Sequence, residues 1–156
     1  MENDIQREKL ILFLEEIGVN HTGHTGRSLM DHLMGTYDLL KKWGCDDSTA
    51  IAGGLHSVYG TNIFTKESIN DAARPIVRRR FGNRPERLAW LFGSINRPKA
   101  IELGFGIDRR NNIEVKLNKK DLKALQLMEA ANLMEQGSSL RKWPNIAQAV
   151  SLHVQL

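Results

Sequence analysis

The segment that most restricts how this chain can fold is Thr49–Leu55, which reads TAIAGGL. Alanine and glycine let neighbouring helices approach closely, so a helix built from Ala50, Ala52, Gly53 and Gly54 must be packed tightly by other elements. Asp46 or Asp47 supplies its N-cap and His56 stands at its expected end, which predicts a buried central helix. The helix before it is equally well punctuated. Ser28 is a good N-cap with Asp31 at the third helical position, Leu29, Leu33, Tyr37 and Leu40 recur on one side with Met30 and Leu39 beside them, and Gly44 ends a helix expected over Leu29 to Trp43.

These two helices frame a histidine-rich stretch, His21 to Gly60, that holds four of the five histidines of the chain. His21 and His24 lie in a Thr/Gly loop, His32 lies a turn inside the first helix, and His56 closes the second. His32 shares a face with Gly35 and Thr36, one turn on, and these small residues leave space beside the imidazole for a ligand or a close helix crossing.

The remainder reads as further helices. A first one is expected from Asp4 to Ile17, with Ile5, Leu10, Ile11, Phe13, Leu14 and Ile17 broadly on one stripe and Gly18 as its stop. Thr65 with Ser68 suggests a short helix, Ala72 to Phe81 a second with Pro75 in its first turn, and Glu86 to Ile95 a third. Residues 98–118 carry few helical signals; Gly104, Gly106 and Asn111-Asn112 mark turns, and the alternation Ile113, Val115, Leu117 allows a short strand or extended loop. Strong helix returns from Lys119 or Lys120 to Gln136, and a last amphipathic helix is expected around Ile146 to Leu152. The fold class is therefore mainly α, a helical bundle with little or no sheet, and 156 residues suit a single domain over residues 1–156.

Charge and composition set bounds on function. The mean hydropathy of −0.37, the absence of an apolar run long enough to span a bilayer, and the lack of a signal-peptide pattern at MENDIQREKL lead to the expectation of a cytoplasmic chain without a membrane partner. A single cysteine, Cys45, excludes an internal disulfide and fits a small helix-end residue better than a nucleophile. A net charge of +4 favours an anionic ligand, although it does not separate a nucleotide from nucleic acid or mere solubility. Six arginines lie between Arg74 and Arg87, either a solvated helix face or a phosphate-facing surface. Arg27, at the start of a helix beside the loop, is the best single candidate for an anion contact, since a helix N-terminus and a guanidinium together favour phosphate or carboxylate. Arg78 and Arg84 of the arginine cluster are candidates for the same ligand, and Tyr59 could line the cavity with its hydroxyl. Aromatics are few and not interleaved with the arginines, which argues against single-stranded nucleic acid.

The segments SLMDHLMGTYDLL and AIAGGLHSVYG resemble two adjoining helices of the HD superfamily of metal-dependent phosphohydrolases. The likeness is nearest to its guanosine-polyphosphate (alarmone) hydrolases, to which RRRFGNRPERLAWLFGSINR and LKALQLMEAANLMEQ are also similar, and it covers about residues 20–136. The resemblance implies an HD-like helical bundle in which His32 takes the first metal-ligand position and His56 the His of the His-Asp pair. It also places Ser57 where that pair has Asp, and puts the late-helix Asp on or near Asn132. The Glu-Asp pair that follows the motif in the alarmone branch meets Tyr59, Gly60 and Thr61.

With both carboxylate ligands replaced by neutral groups, Mn²⁺ or Mg²⁺ would be held poorly, because those ions want oxygen donors whose charge offsets their desolvation. Imidazole suits Zn²⁺, Fe²⁺, Ni²⁺ or Cu²⁺, with Zn²⁺ or Fe²⁺ favoured, so His32 and His56 could recruit His24 or His21 from the loop to rebuild a three-histidine site, with Asp31 or Asp47 orienting it or adding a ligand. Equally, His56 could bond a backbone carbonyl and His32 could pair with Ser57 or Asn132, with Asn132 a buried amide bridging helices. The leading expectation is an HD-like domain that binds a phosphorylated nucleotide or other small anion without family-type hydrolysis, with no cofactor or a divalent transition metal. An active metal-dependent hydrolase or oxygenase with a rearranged histidine-rich site, and a structural or partner-binding remnant, are the alternatives.

Overall fold

Asp46 accepts a hydrogen bond from the Thr49 amide at 2.8 Å and so starts α3, Asp47–Gly54, the helix around which the others are laid. Every residue from 49 to 61 is buried. α2 (Leu29–Lys42), α5 (Asn83–Ser94) and α7 (Lys119–Glu135) all pack on α3, and α2 also packs directly on α7. The two glycines of α3 mark the close approaches: a Cβ on Gly53 would stand 2.2 Å from Leu40 Cδ1, and one on Gly54 2.4 Å from Leu10 Cδ2. The small-residue run is thus occupied by leucine side chains from α2 and from α1 (Ile5–Glu16).

The computed structural model describes residues 4–24 and 27–154, with the side chain of His24 also outside the description. Within those residues the protein is mainly α. α4 (Arg74–Phe81) packs on α5, and α6 (Lys99–Leu103) and α8 (Pro144–Val154) pack on α7. Two antiparallel ribbons complete it: β1 (Gly23–His24) with β2 (Arg27–Ser28), and β3 (Phe105–Ile107) with β4 (Glu114–Lys116), the latter in the register Phe105 to Lys116, Gly106 to Val115 and Ile107 to Glu114. The core is filled by fully buried large side chains, among them Leu10, Leu33, Tyr37, Leu40, Leu55, Leu88, Phe92 and Ile101. Burying each aliphatic or phenyl group contributes about 1.5–3 kcal/mol. No described helix is long and apolar enough to cross a membrane.

Differences from the sequence reading have local causes. Thr65 to Ser68 forms no helix, because the Ser68 and Ile69 amides both donate to Val58 O (2.9 and 3.1 Å), which holds the segment against the central turn. The helical turn comes later, at Asp71–Ala73, where the Asn70 side chain accepts from Ala72 N. α6 lies in a region without strong helical signals; Gly104, at φ 87°, ends it by donating to Ala100 O. α3 stops at Gly54, so His56 stands in the following chain of turns rather than in the helix. In α1, Ile5 points to solvent and Leu10, Phe13 and Leu14 carry the packing. Ile113 is exposed at the start of the β4 ribbon while Leu117 is buried, so only part of the expected alternation faces the core.

One glycine gives a direct test of this packing. A Cβ on Gly93, in α5, would lie 2.6 Å from the backbone oxygen of Gly60, an atom that cannot swing aside. Gly93→Ala is therefore expected to lower stability by about 1–3 kcal/mol in chemical denaturation, despite alanine's better helix propensity. A variant as stable as the parent would show that α5 does not rest on the Tyr59–Thr61 turn as described.

Candidate functional site

The second half of α7 is largely apolar but carries Glu129, Asn132 and Glu135 three residues apart on one face, continued by its C-cap Gln136. That face meets His32 of α2. His32 is 1% exposed; its Nε2 lies 2.8 Å from Asn132 Oδ1 and its Nδ1 lies 2.8 Å from Glu135 Oε1. Asn132 in turn donates through Nδ2 to Glu129 Oε1 at 3.2 Å, and Gln136 Nε2 donates to Asn132 Oδ1 at 3.0 Å. Glu129 is fully buried and bonded by Arg97 through both Nε and Nη2, each at 2.5 Å. Arg27 reaches Glu135 from the other side, with Nη1 at 2.8 and 2.7 Å from its two oxygens. The space beside His32 that Gly35 leaves is filled by the Glu135 side chain: a Cβ there would be 2.6 Å from Oε2.

His56 stacks edge-on against both His32 and Phe92, with ring centroids 5.0 and 5.1 Å away, and its Nδ1 lies 2.6 Å from Gly53 O. Next to it, Ser57 is buried and its Oγ finds no hydrogen-bond partner among the described residues. Both residues line a cavity of about 160 Å³ with Thr61, Phe64, Arg97, Asn132 and Gln136. Arg97 gives Nε and Nη2 to Glu129 and leaves Nη1 unspent. The structure thus brings His56, Ser57 and Asn132, residues far apart in sequence, to the wall of one small chamber whose other sides are the apolar Ile63, Phe64, Phe92, Pro98 and Leu133, while His32 lies behind that wall, bonded to Asn132.

The expected anion ligands do not converge there. Tyr59 and Arg78 both belong to Glu86: the Tyr59 hydroxyl donates to Oε2 at 2.9 Å, Arg74 Nε and Arg78 Nε bond the same carboxylate at 2.9 and 3.0 Å, and Tyr59 packs edge-on against Trp90. Arg84 is bound to Asp121 at 2.9 Å, where Arg87 also reaches. Only Arg27 stands beside the histidines, and it is spent on Glu135. The anions these arginines meet are the protein's own carboxylates, which sequence inspection could not pair with them. His24 as a metal ligand falls outside the described side chains, and His21 is exposed.

Glu129 and Glu135 escaped the sequence reading because they lie far along the chain from the arginine and histidine they serve. Their signal was the spacing of Glu129, Asn132 and Glu135 on the largely apolar second half of α7. Among the described residues no three His, Cys, Asp or Glu side chains form a group able to hold a metal ion.

A family model for "Domain of unknown function (DUF6817)" matches residues 13–97, just over half of the chain. The chain belongs to that family. The DUF6817 segment carries His32, His56, Ser57, Glu86 and Arg97, but ends before α7. The chamber is therefore completed by a helix from outside it, which brings Glu129, Asn132, Glu135 and Gln136. No curated protein and no solved structure matches the chain.

Two measurements follow from the buried pairs. Removing one partner of a buried ion pair leaves an uncompensated charge, so Glu129→Leu alone is expected to cost about 3–5 kcal/mol, while Arg97→Met with Glu129→Leu costs clearly less. Equal costs for the single and the double variant in a denaturation cycle would contradict a direct Arg97–Glu129 bond. Burial pushes the Glu86 carboxyl up, but the hydrogen bonds from Arg74 and Tyr59 and the charge of Arg74 more than offset it, so it sits below its ordinary value of 4.5. Asp121, held by Arg87 and Arg84 against the same burial cost, is lowered too, from 3.8. A lowered carboxylate stabilises fully above its unfolded value and loses that contribution as pH falls through the folded one. Stability should therefore drop on acidification below about pH 4.5, less steeply for Glu86→Gln; a parallel pH profile for that variant would contradict the assignment.

Proposed function

We propose that this protein is a small-ligand-binding domain of HD-like architecture that takes an anionic group, phosphoryl or carboxylate, without metal-dependent hydrolysis. The observation that carries the reading is Ser57: a buried hydroxyl with no described partner in the wall of a cavity that Arg97 also lines. A buried hydroxyl left unpaired costs about 1–3 kcal/mol, a cost that a bound acceptor removes. The resemblance of the His32 and His56 helices to HD phosphohydrolases supports the choice of a phosphorylated ligand such as a nucleotide. A cavity of about 160 Å³ is smaller than the roughly 300–1,000 Å³ of drug-sized sites, so it would hold the charged end with the rest of the molecule outside.

The donor set argues against the metal that the resemblance implies. Ser57 and Asn132 are neutral where carboxylates would be needed, and both nitrogens of His32 face oxygens of Asn132 and Glu135. Glu135, the nearest carboxylate, is shared between His32 and Arg27. Such a set fits Mn²⁺ or Mg²⁺ poorly, and Zn²⁺ or Fe²⁺ would first have to displace Asn132 from His32 Nε2.

Ser57→Ala tests the binding reading through two opposite effects. Removing the unpaired hydroxyl should leave the ligand-free protein equally or more stable. It should also shrink the rise in melting temperature that guanosine or adenosine nucleotides give the parent, since ligands stabilise by mass action. If none of these nucleotides raises the melting temperature of the parent, or if the alanine variant responds as the parent does, the reading fails.

A further inference from the structure

A second cavity, of about 220 Å³, lies away from the histidines where the start of α3 meets α5, α7 and α8. Its cationic walls are Arg84 from the first turn of α5 and Lys120 and Lys123 from the first turns of α7, with His153 from α8 beside them and Cys45, Asp46 and Thr49 on the α3 side. Lys120 and Lys123 are exposed and form no ion pair with any described residue. Arg84 is half-anchored: Nη1 bonds Asp121 and Nη2 reaches Lys120 O at 3.5 Å, while Nε is buried without a partner. The acids nearby are already engaged. Asp46 accepts from Thr49 N as the α3 cap and also faces the charges of Arg84 and Lys120, and the Asp121 carboxylate accepts from Arg84, Arg87 and Asn118 Nδ2. Cys45 contributes no charge, because burial pushes its thiol up to about 11.

Two lysines outside any described ion pair and the Arg84 guanidinium, set against the one carboxylate of Asp46, leave this concavity with an excess of positive charge that suits a ligand carrying more than one negative charge. Charge-assisted hydrogen bonds from Arg and Lys to phosphate oxygens are the strong kind, and Arg84 is held in place for them by Asp121. The volume excludes a whole nucleotide and suits a compact multiply charged group. We propose that this basic cavity is a second anion site, distinct from the chamber beside Ser57, and that it binds a compact phosphorylated anion of the size of pyrophosphate.

Isothermal titration of the full chain with inorganic pyrophosphate tests it. The expected result is one-to-one binding that weakens about tenfold or more in Lys120→Gln/Lys123→Gln, falls with added salt, and is unchanged in Ser57→Ala. Both lysines are exposed and unpaired, so the double variant should fold as the parent does, which its melting temperature checks. Three results would each overturn the proposal: no binding to the parent, equal binding to the lysine variant, or loss in Ser57→Ala with retention in the lysine variant. The last would move the anion to the first chamber and leave the basic cavity without a ligand, so failure of this inference and failure of the Ser57 reading are told apart.

Discussion

The contact on which the site depends is the meeting of the α7 polar stripe with His32. A buried imidazole, two buried or half-buried carboxylates and the Arg97 guanidinium are tolerable in a helical interior only if each is paired, since an unpaired charge there costs several kcal/mol. Glu135 is bridged by His32 and Arg27, Glu129 by Arg97 and Asn132, and Asn132 links the two halves. This network fixes the rotation of α7 about its axis relative to α2, because turning it by one residue would bury carboxylates against apolar neighbours. It also fixes what is left over: the Ser57 hydroxyl and one nitrogen of Arg97 at the cavity beside it.

The same economy of charge governs the arginine-rich region. Glu86 and Asp121 each collect two arginines, and Trp90 lies between the guanidiniums of Arg74 and Arg110 at 4.1 and 4.0 Å. What reads in the sequence as a cationic surface is largely internal pairing that ties α4 and α7 to α5. Lys120 and Lys123, at the first turns of α7, are by contrast outside any described ion pair where they border the second cavity.

Elements whose cause is local were legible in the sequence. The Ser28 and Asp46 caps, the glycine stop at Gly44 (φ 76°) and the small-residue run of α3 all act within a few residues, and α2 and α3 follow from them nearly to their ends. The pairing of His32 with Asn132 and of His56 with a backbone carbonyl was among the alternatives that the residues left open. What escaped is non-local. Arg84 finds Asp121 37 positions away and Arg27 finds Glu135 108 away, and no spacing rule links them. The Thr65–Ser68 segment failed for the same reason, since Val58 claims its amides.

His32 and its partners on α7 form a hydrogen-bond network with a cavity on its flank, and the function proposed for it requires no metal ion. Calorimetric titration of the chelator-treated protein with Zn²⁺ and with Mn²⁺, in parallel with His32→Ala, tests that claim most directly. The account predicts no stoichiometric binding that depends on His32. One ion per chain, bound by the parent and lost in His32→Ala, would contradict it and restore the histidines as metal ligands.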